Sequence, residues 1–205
     1  MQMRKEVLTK EQIKLLSFVA EFSKDFGLVG GTAIALHLGH RRSVDFDLFS
    51  RKKFDNQGLL NKILRHFNTD QIIVNKLGEL TLMVKGIKFT FYQFPFLLDY
   101  TETFEGIRLP NLLTLAAMKA FALGQRAKWK DYVDLYFIIK DNFSIEEISQ
   151  KGKQFFEDNF NEKLFRSQLA YFEGINYAEQ VVFMPGFKVP DEIIKKALVE
   201  FSLEE

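Results

Sequence analysis

The chain has 205 residues, 47% hydrophobic and 15% aromatic with 23 phenylalanines, enough for one well-cored domain or one domain with a helical extension. Its 28 basic side chains nearly cancel 27 acidic ones, which excludes a highly basic DNA-coating protein, and the lack of cysteine excludes a disulfide scaffold, a thiolate zinc site and a cysteine nucleophile. The polar start MQMRKEVLTKEQ is unlike a signal peptide, and no apolar run approaches the roughly 20 residues that span a bilayer, so a soluble, cytoplasmic protein is expected.

In chain order, Thr9 caps a predicted helix running to about Lys24, with Ile13, Leu15, Leu16, Val19 and Phe22 as its apolar stripe. A short strand at Leu28–Val29 leads into Gly30-Gly31-Thr32, where a buried, alanine-rich helix begins and runs to Leu38. Val44–Phe49 alternates as a strand, apolar at 44, 46 and 48 and acidic at 45 and 47. A helix is predicted over Phe54–Phe67, then strands at Ile72–Val74, Leu80–Val84 and Ile87–Phe94, the last two joined by a Lys85-Gly86 turn. A loop through Glu105-Gly106 precedes a buried helix from Pro110 to about Gly124, and a second helix follows from Ala127 to Ile139. Helices near 144–158, 161–172 and 191–203 complete the chain, with an irregular link at 184–190. This order predicts an α+β protein, with an α/β core over residues 1–108 and a helical subdomain over 109–205.

Charge is unevenly spread: the first 140 residues carry a basic excess and the remainder an acidic one. Between residues 106 and 130 lie Arg108, Lys119, Arg126, Lys128 and Lys130 with no acid, and Arg41, Arg42, Arg51, Lys52 and Lys53 bracket two aspartates. Such fields suit a polyanionic ligand, and equally a solvated surface compensated elsewhere.

The informative stretch is VGGTAIALHLGHRRSVDFDLF. On a strand, Asp45 and Asp47 project from one face and Val44, Phe46 and Leu48 from the other. Two adjacent carboxylates repel unless something positive sits with them, and Mg²⁺ suits a pair of carboxylates plus substrate phosphates. Gly30-Gly31 permits close backbone approach to a ligand, and Thr32 lies at a helix start that favours phosphate. A phosphate cradle with a metal-binding aspartate pair is the apparatus of nucleotidyl or phosphoryl transfer. It is neither a Walker A loop nor a dinucleotide fingerprint.

This stretch resembles the signature of the polymerase-β-like nucleotidyltransferase superfamily, and GGTAIALHLGHRRSVDFDLF is similar to the AbiEii/AbiGii toxin family within it. A second similarity lies at MKAFALGQRAKWKDYVDLYFI, through Lys119, Arg126, Asp131 and Asp134. The resemblance implies a polymerase-β-like fold with a small mixed sheet and a helical C-terminal subdomain. It implies metal-dependent transfer, with Mg²⁺ or Mn²⁺, of a nucleotidyl group from an NTP to an acceptor hydroxyl, an RNA such as tRNA among the candidates, and an antitoxin as protein partner. By the same resemblance Asp45 and Asp47 hold metal, and Gly30, Gly31, Thr32, Arg41, Ser43 and Arg126 bind the nucleotide. Lys119, Asp131 and Asp134 join the aspartates as catalytic candidates. The superfamily's third strand carboxylate is replaced by Thr90, which leaves the general base to come from elsewhere, Asp131 or Asp134 being candidates.

Alternatives stand beside each assignment. Lys119 is either a triphosphate contact or half of a structural ion pair with Asp131 or Asp134. Arg126, Lys128 and Lys130 form a solvated turn or a phosphate-steering patch. His40 braces the turn before the aspartate strand, His37 packs in the core, and Ser43 hydrogen-bonds locally. Trp129, Tyr132 and Tyr136 stack a base or, at helical spacing, fill the core. For the whole chain the alternatives are a nucleotide- or RNA-binding module without transfer chemistry and a kinase-like phosphotransferase of the same fold.

Overall fold

The computed structural model describes residues 3–204, in two compact units. The first comprises Leu8–Ala33 and Ser43–Asn111; the second comprises the described residues before Leu8, Ile34–Arg42, and the chain from Leu112 onward.

In the first unit Thr9 caps α1 (Lys10–Ala20) through a reciprocal capping box with Gln12. The helix ends at Ala20 rather than Lys24, because residues 21–25 form turns, and Ile13 of the expected stripe is exposed while Phe18 is buried. β1 (Gly27–Val29) passes directly into α2 (Gly30–Leu38), and β2 (Phe46–Ser50) follows. α3 (Asn56–Leu64) starts where the Asp55 carboxylate accepts from the Gln57 and Gly58 N–H groups. β3 (Gln71–Lys76), β4 (Glu79–Val84) and β5 (Ile87–Gln93) form an antiparallel meander. Lys85 and Gly86 both take positive φ, 51° and 72°, the turn that matches strand twist. The expected loop at Glu105-Gly106 is instead the turn of a hairpin, β6 (Glu102–Phe104) with β7 (Ile107–Leu109), whose three-residue strands are too short to display a period.

The five-stranded sheet runs β1-β2-β5-β4-β3. It is mixed: β2 and β5 are parallel, and the other neighbours are antiparallel. Alternation buries Phe46 and Leu48 of β2 and Phe89 and Phe91 of β5 on one face. There the Phe91 ring meets Phe22 at 5.0 Å and Phe26 at 5.3 Å, edge to face. Each such buried ring contributes about 1.5–3 kcal/mol. The opposite, half-exposed positions are Asp47 on β2 and Lys88 and Thr90 on β5. Val44, expected on the core face, is 44% exposed and precedes the strand, since pairing with β5 begins only at Phe46 opposite Phe89.

The second unit is helical. α4 (Leu112–Leu123) is apolar on nearly every side and is packed by α5 (Trp129–Asp141), α6 (Ile145–Phe156) and α7 (Glu162–Leu169). Phe121 and Phe156 stack at 4.1 Å between α4 and α6. α8 (Asp191–Ser202) lies on α5 and α7. Residues 170–190 contain no helix and form a strap over this unit. Its backbone bonds Asn176 to Ala127 and Trp129, and Val182 and Met184 to Arg42 and His40.

Candidate functional site

The sheet unit gathers Gly30, Gly31, Thr32, Ser43, Asp45 and Asp47 at the end of β1 and the start of β2. Val29 pairs with Asp47 across β1 and β2, so the chain leaves β1 beside that carboxylate. Gly30 has φ +69°, and a Cβ there would collide with the Asp47 carboxylate. Close approach thus requires glycine at position 30. Thr32 is buried; its hydroxyl donates to the Asp45 carbonyl and shares a 2.9 Å hydrogen bond with Ser43 Oγ. Both hydroxyls are therefore engaged in fixing the turn that delivers the aspartates.

Asp47 lies opposite Thr90 on β5, the position that the resemblance gives to the superfamily's third carboxylate. Asp45 sits one residue before the strand, and its Oδ2 is 2.7 Å from Lys88 Nζ. Lys88 was missed by the sequence reading, although it shares the alternating face of β5 with Thr90. The positive charge that two neighbouring carboxylates call for is thus supplied, at Asp45, by a lysine of the chain itself.

The remaining candidates assemble in the helical unit as one buried ionic cluster. Asp134, fully buried, receives Arg41 Nε at 2.7 Å and Nη2 at 2.8 Å, His40 Nε2 at 2.8 Å and Lys119 Nζ at 3.1 Å. Lys119 Nζ also lies 2.6 Å from Asp131 Oδ1, and Arg126 Nε 3.3 Å from Asp131 Oδ2. Lys119 is here the structural ion pair, with both aspartates at once. Burial would raise the Asp134 carboxyl, but the Arg41 and Lys119 charges and the bonds from His40 and Arg41 hold it well below the usual carboxylate range. Its oxygens are enclosed and taken up by Arg41, His40 and Lys119, which makes Asp134 a structural partner in this arrangement. The same aspartates overcome burial to hold Arg41 and Lys119 above their ordinary values.

Burial lowers His40 despite Asp134, and its Nδ1 has no hydrogen-bond partner among the described residues, so a second ring proton there would be enclosed without an acceptor. Arg41, expected at the nucleotide, is 2% exposed with its guanidinium spent on Asp134. Of the expected phosphate contacts in this unit, Arg126 is the open one, at 55% exposure. Trp129, Tyr132 and Tyr136 are core residues.

Arg126, Lys128 and Lys130 do have an acid nearby, which the sequence did not reveal. Glu179 on the strap lies 2.8 Å from Lys128 Nζ and 3.3 Å from Lys130 Nζ. The Lys128 hydrogen bond, against some desolvation and with both lysine charges, pulls its carboxyl down to about 2.

Residues 15–78 and 83–185 match the nucleotidyl transferase AbiEii toxin family of type IV toxin–antitoxin systems. An uncharacterized protein of Aquifex aeolicus, aq_aa25, is 31% identical over 202 residues, covering 95% of this chain and 97% of that one. Among solved structures, JHP933 of Helicobacter pylori superposes with TM-score 0.61 at 18% identity, covering 95% of this chain and 91% of its own. The MenT4 nucleotidyltransferase toxin of Mycobacterium tuberculosis superposes with TM-score 0.61 at 14% identity, covering 94% and 82%. These two likenesses bear on the fold, which is that of the nucleotidyltransferases. Matched across most of its length, the chain belongs to the AbiEii nucleotidyl transferase toxin family and is a nucleotidyltransferase.

Proposed function

We propose that the enzyme moves a nucleoside monophosphate from an NTP to an acceptor hydroxyl on RNA, tRNA being one candidate, using a divalent cation held by Asp45 and Asp47. The observation that carries this reading is the seating of the Asp47 carboxylate against Gly30, where a Cβ would occupy its place. The donor set fits Mg²⁺ or Mn²⁺: two partly exposed carboxylates, Asp47 on β2 and Asp45 just before it, would leave room for phosphate oxygens and water. Bound there, the cation supplies Lewis acidity to the phosphates and orients them.

The chain's own residues do the rest. Gly30 and Gly31 open α2 beside the aspartates, and the N–H groups of a helix's first turn have no intrahelical partner and favour phosphate. Thr32 and Ser43 hold the Asp45 backbone, which fixes the carboxylates relative to those N–H groups. Lys88 adds an ammonium at the same face, where negative charge develops on the leaving pyrophosphate. The Arg41–His40–Asp134–Lys119–Asp131 cluster acts as a buried brace of the helical unit. A toxin of a type IV system implies a cognate antitoxin as partner.

Thr90 opposite Asp47 supports a second reading, a nucleotide- or RNA-binding module with little transfer, since a hydroxyl cannot serve as general base there. NTPs labelled at the α or γ phosphate, incubated with total RNA and protein and with Mg²⁺ or Mn²⁺, separate the readings. Label from the α position entering RNA supports the first. Binding without product supports the second, and γ label entering protein overturns both in favour of a kinase.

A further inference from the structure

Around Trp129 the helical unit brings together Arg126, Lys128, Lys130, Lys195, Tyr177 and Glu179. Trp129 is enclosed, but groups about it reach the surface: Tyr177, 47% exposed, lies 5.5 Å from the Trp129 ring, and Lys195 Nζ stands 5.9 Å from that ring's centroid and 3.1 Å from Glu192, while Arg126 is paired with Asp131. Glu179 bridges Lys128 and Lys130 from the strap. The strap is anchored beside it by backbone bonds, Asn176 N–H to the Ala127 carbonyl at 2.8 Å and Trp129 N–H to the Asn176 carbonyl at 3.1 Å. Lys128 and Lys130 sharing one part-exposed carboxylate, Lys195 on an exposed one, and a half-exposed aromatic ring beside them match what a single strand of RNA presents, phosphates at intervals and a base face between them.

We propose that this face binds the single-stranded backbone of an RNA, with Tyr177 stacking a base and Glu179 acting as the built-in competitor for Lys128 and Lys130. The pairing of Glu179 with the two lysines is partly exposed, so a phosphate diester exchanges for the carboxylate on the same two ammonium groups. The strap thereby lowers affinity for any polyanion until a strand also engages Tyr177, Arg126 and Lys195. This builds on the reading of an RNA acceptor, but it is tested without turnover.

The test is fluorescence-anisotropy binding of a labelled single-stranded RNA oligonucleotide to the full chain over a salt series. Glu179→Gln is expected to tighten binding by about three- to ten-fold. Lys128→Gln/Lys130→Gln is expected to weaken it at least ten-fold and to flatten the log–log salt slope by about 1.4, and Tyr177→Ala to weaken it about five-fold. Unchanged binding in the double lysine variant, or in Glu179→Gln, overturns the proposal. So does tighter binding of poly-glutamate than of RNA, which assigns the face to an acidic protein instead. RNA binding that responds as expected without any nucleotide transfer refutes the transfer reading alone; transfer into RNA with binding indifferent to these variants refutes this proposal alone.

Discussion

Lys88 Nζ lies 2.7 Å from Asp45 Oδ2, on the strand that sets Thr90 opposite Asp47. The aspartate pair therefore has a cation of the chain's own at one member. Removing it tests whether that ammonium serves the phosphates or only Asp45. Lys88→Gln is expected to lower kcat/KM for nucleotide transfer by about 10²-fold, the cost of deleting one charge-stabilising donor. The pair is partly exposed, so the melting temperature should move little. Unchanged kinetics would leave Lys88 a solvated ion pair.

Gly30 makes a second prediction. Gly30→Ala meets both an unfavourable positive φ and the Asp47 carboxylate, and a strained position of this kind costs about 1–3 kcal/mol. Denaturant unfolding should register that loss, and metal-dependent nucleotide binding should weaken as Asp47 is pushed aside. Full binding in a stable Gly30→Ala protein would contradict the seating of Asp47.

Asp134 accepts hydrogen bonds or ion pairs from three groups enclosed around it, His40, Arg41 and Lys119. Asp134→Ala leaves Arg41 and Lys119 buried without their shared partner, and breaking a buried ion pair from one side costs about 3–5 kcal/mol. Urea titration of the variant against the parent measures it. Asp131→Asn, which leaves Lys119 and Arg41 on Asp134, should cost less.

His40 links this cluster to pH. The groups facing it are Asp134, Arg41 and Lys119. Its folded value is lowered, so below about pH 6.5 the unfolded chain binds a proton that the folded chain does not, and stability falls with falling pH. The contribution is fully present above pH 6.5 and is lost as pH drops toward the folded value, at up to about 1.4 kcal/mol per pH unit. Thermal melts between pH 7.5 and 5 should show this slope, and His40→Gln should flatten it. Asp134, with its carboxyl depressed, adds a further loss only below about pH 3.9.

The aspartate strand was legible because its chemistry coincides with its period: alternation set Phe46 inward and Asp47 outward, and the β2–β5 register put Thr90 beside it. Lys88 obeys the same alternation as Thr90, but nothing in the sequence marks it as the partner of Asp45. Arg41 was expected at the nucleotide through the family resemblance; its partner, Asp134, is 93 residues away and nothing local announces it. Glu179 was out of reach for a related reason. The strap has no helical or strand period, and its route is set by backbone bonds to Ala127, Trp129, His40 and Arg42 rather than by an apolar pattern. The β6–β7 hairpin failed on length alone.

The most direct measurement is transfer from α-labelled NTP by the parent enzyme and by Asp45→Asn and Asp47→Asn variants, with melting temperatures recorded for each. The account predicts that both variants fold and bind RNA as the parent does, yet transfer is reduced by at least about 10³-fold, since each carboxylate is needed for the metal-assisted step. Transfer at the parental rate in folded Asp45→Asn and Asp47→Asn proteins would contradict it.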